Sequence, residues 1–209
     1  MSKIELIHGD SLQSMRLMKD NEFDVAIVDP PYGIGMDGGN GGYKGFNNFE
    51  KKGWDTSIPP REYFDELFRV SKNQIIWGGN YFLDYLGATR CFLIWDKQNG
   101  TNSMADAELA WTSFDTSVRM YRGHIFKGIG NTNYNSIHPT QKPVKLYEWI
   151  IDKYTNEGDL ILDTHLGSGS IAIACHYMKR NLVAYEIDKD YYDAACKRFK
   201  EQTAQMAIW

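Results

Sequence analysis

The segment Asp29-Pro30-Pro31-Tyr32 constrains the fold most, because it ends an apolar run abruptly. The run itself, FDVAIV at 23–28, has the length and β-branched content of a buried parallel strand. Two prolines cannot continue that strand, because neither has a backbone N–H and each fixes φ near −65°. Open α/β sheets bind ligands at the carboxyl ends of their strands, so we expect a ligand site at this position.

The chemistry of the segment indicates the kind of ligand. Asp29 offers a carboxylate, Pro30 and Pro31 offer free carbonyls, and Tyr32 offers an aromatic face. Oxygen acceptors suit the N–H groups of a flat amine, and an aromatic ring stacks on its face. The alternative is a strand that ends in a proline turn with an aspartate cap.

The remaining chain alternates apolar strand patterns with helical patterns, which predicts a largely parallel sheet with right-handed crossovers. A length of 209 residues suits one domain spanning 1–209. The last helix, about 189–202, is expected to turn Tyr192, Ala195, Cys196 and Phe199 inward. Strands are predicted at 4–8, 23–28, 74–77, 91–95, 107–114, 116–121, 160–163 and 182–185, and further helices at 11–19, 60–71, 81–85, 144–154 and 171–178.

Composition excludes several classes of protein. Hydrophobic residues at 43% and charged residues at 24% are typical of a soluble globular enzyme. No apolar run has membrane-spanning length, and no signal peptide precedes the first strand. The three cysteines are far apart, which predicts neither a metal site nor a disulfide framework and suits the cytoplasm. A net charge of −4 disfavours general nucleic-acid binding but permits a local basic face.

A second group of residues predicts a nucleoside-type cofactor. Asp163 ends a strand, and Gly167-Ser168-Gly169-Ser170 then opens a helix, which makes a cradle of backbone N–H groups. Glu186 ends the next strand about twenty residues later, where nucleotide-binding units place the acid that holds ribose hydroxyls. The full G-x-G-x-x-G pattern is absent, which disfavours a dehydrogenase.

Four motifs together resemble the S-adenosylmethionine-dependent DNA amino-methyltransferases of the β group. The segment Asp29–Tyr32 is similar to the D-P-P-Y catalytic motif, and HPTQKP at 138–143 to a second family segment. The segment 163–170 is similar to the D-P-F-x-G-S-G-T cofactor motif, and Glu186 stands in the matching acidic position. The catalytic motif precedes the cofactor motif, as in that group. The resemblance implies a doubly wound, mostly parallel, seven-stranded Rossmann-like sheet with helices on both faces.

The resemblance also implies a role for each residue of the cofactor motifs, with S-adenosylmethionine as the cofactor. Thr164 and His165 depart from the family's Pro and Phe, and His165 is expected either to alter cofactor affinity or to fill the space of the Phe. Asp10 would accept from the adenine amino group, or would simply cap the first helix. The residues assigned to the cofactor are Asp10, Thr140, Gln141, Lys142, Asp163, His165, Gly167, Ser168, Gly169, Ser170 and Glu186.

The implied reaction is direct methyl transfer to an exocyclic amino group of double-stranded DNA. Asp29 and the Pro30 carbonyl would accept the hydrogens of the amine and hold its nitrogen toward the methyl group. A base inside a duplex cannot reach this position, so the target base must flip out of the helix. It would then stack on Tyr32, which follows Pro31 in the motif. Adenine-N6 methylation is the leading hypothesis. Cytosine-N4 methylation and a catalytically silent DNA-binding subunit are the alternatives.

Two segments are expected to contact DNA. The glycine-rich loop 33–55 has no apolar period and is predicted to be flexible, and 116–137 is predicted to be a short target-recognition insert. No Asp or Glu occurs from 116 to 145, and Arg119, Arg122 and Lys127 are the predicted phosphate contacts. Such small segments reach few base pairs, so a homodimer would enlarge the contact. A cognate restriction endonuclease is a further expected partner.

Overall fold

The computed structural model describes residues 2–38, 49–98, 105–123 and 136–204. A 3₁₀ turn at Gly79–Tyr81 replaces the short helix predicted at 81–85. The helices are α1 (Ser11–Met15), α2 (Arg61–Val70), α3 (Val144–Tyr154), α4 (Ser170–Tyr177) and α5 (Lys189–Ala204). The strands are β1 (Ile4–His8), β2 (Phe23–Val28), β3 (Ser71–Trp77), β4 (Phe92–Asp96), β5 (Ala107–Thr112), β6 (Arg119–Arg122), β7 (Leu160–Asp163) and β8 (Asn181–Glu186).

The strands form a single sheet in the order β1-β8-β7-β2-β3-β5-β4-β6. Only β5 runs against its neighbours among the described strands, because β3 and β4 both pair with it antiparallel. The predicted, mostly parallel α/β class is therefore confirmed. The eight strands predicted from the residue pattern are all present, whereas the count of seven that the family resemblance implied is too low. The described residues contain eight strands, since the weak pattern near 116–121 forms β6 and pairs with the otherwise open edge of β4.

Both faces of the sheet are covered by helices, as predicted. Alternation along β2 sends Val25 and Ile27 into the core beneath α3, α4 and α5, and Ala26 and Val28 into the core beneath α1 and α2. Strands buried on both faces need continuous apolar runs, which explains the unbroken FDVAIV pattern. Among the described residues, no helix is long and apolar enough to cross a membrane.

The inward face of α5 differs from the prediction by one residue. Tyr191 and Ala195 are buried, whereas Tyr192, Cys196 and Phe199 are only partly buried. The period of a helix alone leaves its rotation uncertain by about one position. The difference matters because it turns the Tyr191 ring toward the carboxyl edge of the sheet, where the candidate site lies.

Candidate methyl-transfer site

The two predicted motifs meet at one edge of the sheet. Strands β2 and β7 are parallel neighbours, with Val25 opposite Ile161 and Ala26 opposite Leu162. The strand that follows β7 in sequence, β8, lies on the outer side of β7, and the strand that follows β2, β3, lies on the outer side of β2. The chain therefore leaves this pair of strands in opposite directions. Open α/β sheets bind ligands at such a switch point. The Asp29 segment after β2 and the glycine turn after β7 therefore lie side by side.

A cavity with about 820 Å³ of open space lies on the β7–β8 side of this switch point, and we name it the cofactor cavity. It contains most of the predicted cofactor residues, although Asp10, Asp163 and Gly169 are not in its lining. The lining residues are Asp29, Pro31, Trp54, His138, Thr140, Gln141, Lys142, Tyr147, His165, Leu166, Gly167, Ser168, Ser170, Glu186, Ile187, Asp188 and Tyr191.

The glycine turn is held open by side chains from elsewhere in the chain. Gly169, the residue before α4, has φ +72°, and a Cβ there would lie 3.3 Å from the Ala195 Cβ. The Ser170 hydroxyl donates to the Lys142 carbonyl at 2.7 Å, and the Arg198 guanidinium donates to the Ser168 carbonyl at 2.7 Å. These contacts fix the start of α4 at the wall of the cavity, where its free N–H groups favour an anion.

Glu186 at the end of β8 is the acidic group of the cofactor cavity. Its Oε2 accepts from the Gly167 N–H at 2.8 Å and its Oε1 from the Asp188 N–H at 2.9 Å. Each carboxylate oxygen can accept a second hydrogen bond, so capacity for two hydroxyls remains. Burial raises the pKa of Glu186, while these N–H donors act in the opposite direction.

Asp10 caps α1 in the structure. Its Oδ1 accepts from the backbone N–H groups of Leu12 at 2.8 Å and Gln13 at 3.3 Å. Its Oδ2 accepts from the Gln13 amide at 3.1 Å. The alternative of a simple cap thus accounts for all its described contacts, and the predicted adenine contact is a separate role that they do not require.

His165, the departure from the family motif, is held as a neutral side chain. Its ring packs edge-on against Tyr63 at 5.5 Å between centroids, and its Nδ1 lies 2.9 Å from the Thr164 hydroxyl. Burial lowers the pKa of His165 to about 4, so no charge is added to the cavity near neutral pH. Beside it, burial raises the pKa of Asp163 to about 8, although the His165 N–H donates to that carboxyl at 3.0 Å.

An aromatic wall that the sequence did not predict closes the outer side of the cofactor cavity. The His138 ring stacks on Trp54 at 5.3 Å and packs edge-on against Tyr191 at 4.4 Å. Burial lowers the pKa of His138 to about 3, and the nearby charge of Lys142 adds to this effect. The neutral His138 imidazole and the two aromatic rings that pack against it form a surface that suits contact with a flat heterocycle.

The described part of the loop 33–55 lies over this wall. The Lys52 amine makes ion pairs with Asp188 at 2.8 Å and Asp190 at 2.7 Å, and it lies 4.7 Å from the centre of the Tyr191 ring. The buried Asp55 carboxylate accepts from the Gly33 N–H at 2.8 Å. Residues 39–48 of the loop lie outside the described residues.

A second cavity, with about 1540 Å³ of open space, lies on the β2–β3 side, and we name it the target cavity. Both cavities have Asp29, Pro31, Trp54, Thr140 and Lys142 in their linings. The other lining residues of the target cavity are Pro30, Tyr32, Ile34, Met36, Asp55, Gly78, Asn80, Tyr81, Lys97, Ala105, Ala107, Glu108, Leu109. The Asp29 segment is therefore part of the wall between two adjoining spaces.

Both oxygens of Asp29 are held by side chains. The Tyr32 hydroxyl donates to Oδ1 at 2.5 Å, and the Lys142 amine donates to Oδ2 at 2.5 Å. Each oxygen keeps a lone pair for a further donor. Burial raises the pKa of Asp29, and the positive charge of Lys142 opposes that rise.

Lys142 connects Asp29 to a second carboxylate, Glu108 on β5, at 3.1 Å. Glu108 in turn pairs with Lys97 at 2.5 Å. Burial alone would lower the pKa of Lys142, but the charges of Asp29 and Glu108 raise it above its usual value. The family resemblance assigned Lys142 to the cofactor. In the structure the Lys142 amine pairs with the carboxylates of Asp29 and Glu108. Contact of Lys142 with the cofactor therefore stays a prediction.

Tyr32 is packed on one side by another aromatic ring. Tyr81 stacks on it at 5.0 Å with an angle of 16° between the rings. Gly78 has φ +70°, and a Cβ at this position would lie 2.2 Å from the Tyr32 ring, so only glycine fits. Base stacking on Tyr32 was predicted, and Tyr81 also lies in the lining of the target cavity.

The predicted DNA contacts lie along the edge strand β6. Arg119 and Arg122 are both exposed, and Arg122 pairs with Asp96 at 3.5 Å. Arg122 is opposite Asp96, the last residue of β4. It therefore lies at the carboxyl ends of the parallel strands, as the two cavities do. Lys127 lies outside the described residues. Three positions separate the two arginines, which places them on opposite faces of the strand.

An open sheet with two cavities meeting at its switch point defines a Rossmann-like methyltransferase fold, and solved structures share it. The crystal structure of the M1.HpyAVI–SAM complex is similar to this structure, with a TM-score of 0.61 and 22% sequence identity. The match covers 93% of this chain and 98% of that chain. The cytosine-N4-specific PvuII DNA methyltransferase gives a TM-score of 0.62 over 98% of this chain and 91% of its own, at 14% identity.

Residues 76–197, more than half of the chain, match the family model described as DNA methylase, the N6/N4 methyltransferases. The chain belongs to this family. It is 25% identical to the type II methyltransferase M.HpaI of Haemophilus parainfluenzae over 240 residues, covering 94% of this chain and 74% of that protein. It is 24% identical to M2.DpnII of Streptococcus pneumoniae over 244 residues, covering 96% and 91%.

Family membership confirms the resemblance drawn from the motifs, and with it DNA methylation and S-adenosylmethionine as the cofactor. The matched segment contains the cofactor turn and Glu186 but begins after the Asp29 segment. The roles of individual residues therefore stay predictions, and so does the choice between adenine and cytosine.

Proposed function

We propose that the protein transfers a methyl group to the N6 amino group of an adenine flipped out of double-stranded DNA. The observation that carries this proposal is the shared wall between the two cavities. Asp29, Pro31 and Lys142 are in the linings of both cavities. A methyl donor in the cofactor cavity and a methyl acceptor in the target cavity would therefore meet at the Asp29 segment. Holding two reactants in the correct geometry can lower a reaction barrier by about 7–11 kcal/mol.

The cofactor cavity fits S-adenosylmethionine, which supplies an electrophilic methyl group when bound. Glu186 would accept the ribose hydroxyls with the lone pairs that the Gly167 and Asp188 N–H groups leave free. The start of α4, at Ser168 and Ser170, would face the methionine carboxylate. Asp163 would lie near the methionine ammonium. His165 contributes a neutral ring in place of a Phe, which is compatible with binding.

On the target side, Asp29 and the Pro30 carbonyl would accept the two hydrogens of the exocyclic amine. Conjugation with the ring makes this nitrogen a poor nucleophile, and acceptors placed beside it hold its lone pair toward the methyl group. The fixed contacts to Tyr32 and Lys142 keep the Asp29 carboxylate in one orientation. The flipped base would stack on the aromatic pair Tyr32 and Tyr81.

Adenine is proposed over cytosine because the motif begins with Asp29, where a Ser would favour cytosine. Cytosine-N4 methylation is the second candidate, and the similar fold of the cytosine-N4-specific PvuII enzyme supports keeping it. Both targets are exocyclic amines, and the same acceptors would serve either. The intact contacts of Asp29 favour an active enzyme over a silent subunit.

DNA contact is proposed for Arg119, Arg122 and Lys127, within the insert 116–137, and for the loop 33–55. Both segments belong to the one methyltransferase domain, 1–209. Neither is large enough for a separate recognition domain of ordinary size. We therefore expect a short recognition site or a homodimer that enlarges the contact.

The proposal is tested by identifying the methylated nucleoside. Unmodified plasmid DNA is incubated with purified protein and S-adenosylmethionine, digested, and analysed by mass spectrometry. N6-methyl-deoxyadenosine that is absent with the Asp29→Ala variant supports the proposal. N4-methylcytosine would establish the second candidate. DNA that stays unmodified while the cofactor binds would identify a silent subunit.

A further inference from the structure

Glu108 stands in the target cavity without any role in the reaction proposed above. It lies on β5, the strand that runs against its neighbours, so its first residues and not its last lie at the carboxyl edge of β3 and β4. Ala107 is opposite Asp96, and Ala110 is opposite Trp77. Because β5 is reversed, the Glu108 carboxylate lies at the carboxyl edge of the parallel strands, where the Asp29 segment also lies.

The contacts of Glu108 form one continuous chain to Asp29. Lys97 lies 2.5 Å from its Oε1, and Lys142 lies 3.1 Å from its Oε2 and 2.5 Å from Oδ2 of Asp29. Side chains of both lysines are nearly inaccessible, at 8% for Lys97 and 3% for Lys142. Two ammonium groups and two carboxylates balance their charges, as a buried cluster requires.

The position of the Lys142 amine depends on both carboxylates. Its ammonium also lies 3.4 Å from the Tyr32 hydroxyl and 5.2 Å from the centre of the Trp77 ring, and neither group carries a negative charge. With Glu108 neutral, two buried ammonium groups would face Asp29 alone. The excess positive charge would draw Lys142 more tightly onto Asp29 and reduce the capacity of that carboxylate to accept from a substrate amine.

We propose that Glu108 is a positioning residue for methyl transfer, which shares the positive charge of Lys142 with Asp29 through an ion pair, so that Asp29 stays oriented and available to the target amine. Lys97 supports Glu108 from the opposite side. This inference rests on the proposed function, because it assigns the residue a part in the same reaction. Glu108 acts through Lys142 and is not itself a contact of the transferred methyl group.

The test is the Glu108→Gln variant, which keeps the shape of the side chain and removes its charge. Glu157→Gln is the matched control, because that exposed glutamate only pairs with Lys179 at 3.6 Å. We expect kcat to fall at least tenfold in Glu108→Gln, while calorimetry gives a cofactor Kd within twofold of the wild type. The control keeps both values.

The pH profile distinguishes positioning from a merely structural role. The charge of Glu108 raises the pKa of Asp29, so its removal should move the acid limb of kcat to lower pH. Lys97→Met removes a positive charge from the same cluster and should move the limb to higher pH. It also serves as the second variant if Glu108→Gln does not fold. An unchanged kcat and profile in both variants would overturn the proposal.

A measurement on the cluster itself separates this inference from the proposed function. The pKa of the Lys142 amine, followed by NMR of the protein with labelled lysine, should fall in Glu108→Gln because only one of its two carboxylates remains. If wild-type protein methylates no DNA, the proposed function fails while this shift still tests the cluster. A Lys142 pKa that does not change would overturn the inference in either case.

Discussion

The two cavities of the site are built in different ways. The cofactor cavity is formed chiefly by consecutive residues after β7 and β8, and backbone N–H groups supply several of its contacts. The target cavity is formed by side chains from distant parts of the chain, with Asp29, Glu108 and Lys142 in direct contact. One is a local cradle, and the other is an assembled network of charges.

The difference has energetic consequences. A backbone cradle survives most substitutions, because its donors belong to every residue except proline. A buried network is more sensitive, because removing one partner leaves the other charge uncompensated, at a cost of about 3–5 kcal/mol. Substitutions on the target side should therefore reduce catalysis more than those on the cofactor side reduce binding.

The largest effect is expected for Asp29→Ala. Removal of the charged acceptor should slow methyl transfer by roughly 10² or more, while the cofactor affinity stays near that of the wild type. Single-turnover methylation and calorimetry measure the two quantities, with the exposed Asp65→Ala as the control. Because Lys142 would lose a partner, the folded state is checked by its Tm. Turnover near the wild-type value would contradict the assignment.

A smaller effect, confined to binding, is expected for Glu186→Ala on the cofactor side. Charge-assisted hydrogen bonds contribute about 1.5–3 kcal/mol each, so the Kd for S-adenosylmethionine should rise at least tenfold. Glu201→Ala is the control, since that residue lies on the exposed side of α5. Calorimetry that shows unchanged affinity would remove Glu186 from the site.

The next effect concerns the DNA and leaves both cavities intact. Replacing Arg119, Arg122 and Lys127 with Ala should lower the slope of log K against log salt by about 0.9 for each phosphate that these side chains neutralise in the wild type. Cofactor affinity should not change. A triple Lys3, Lys179 and Lys197→Ala variant removes the same three positive charges from exposed lysines and controls for net charge. An unaltered slope in the triple variant would place the DNA on another face.

The smallest effect is expected for Asp163→Asn, measured as stability against pH. The folded pKa of Asp163 is raised to about 8, whereas an unfolded Asp titrates near 3.9. Its contribution to stability is therefore complete below about pH 4 and disappears as pH rises toward 8. The Asn variant should gain Tm relative to wild type, by a few degrees near pH 5 and by about ten degrees or more near pH 8. A constant difference in Tm would contradict the raised pKa.

The sequence by itself determined the alternation of strands and helices, the site at the strand ends and the type of cofactor. These features are local. A strand, a glycine turn and an acid at the next strand end follow one another within about twenty residues, so their spacing is visible in the chain. The helix on each face also follows, because the unbroken apolar run of β2 requires cover on both sides.

Only the tertiary structure decided the side chains around Asp29 and the closure of the cofactor cavity. Glu108 and Lys97 have no motif around them. Glu108 reaches the site because β5 is reversed, and Lys97 reaches it because it directly follows the last residue of β4. Lys52 and Trp54 reach Asp188 and His138 across more than eighty residues of sequence. Contacts of this kind depend on which strands become neighbours, and a local pattern of residue types does not specify that.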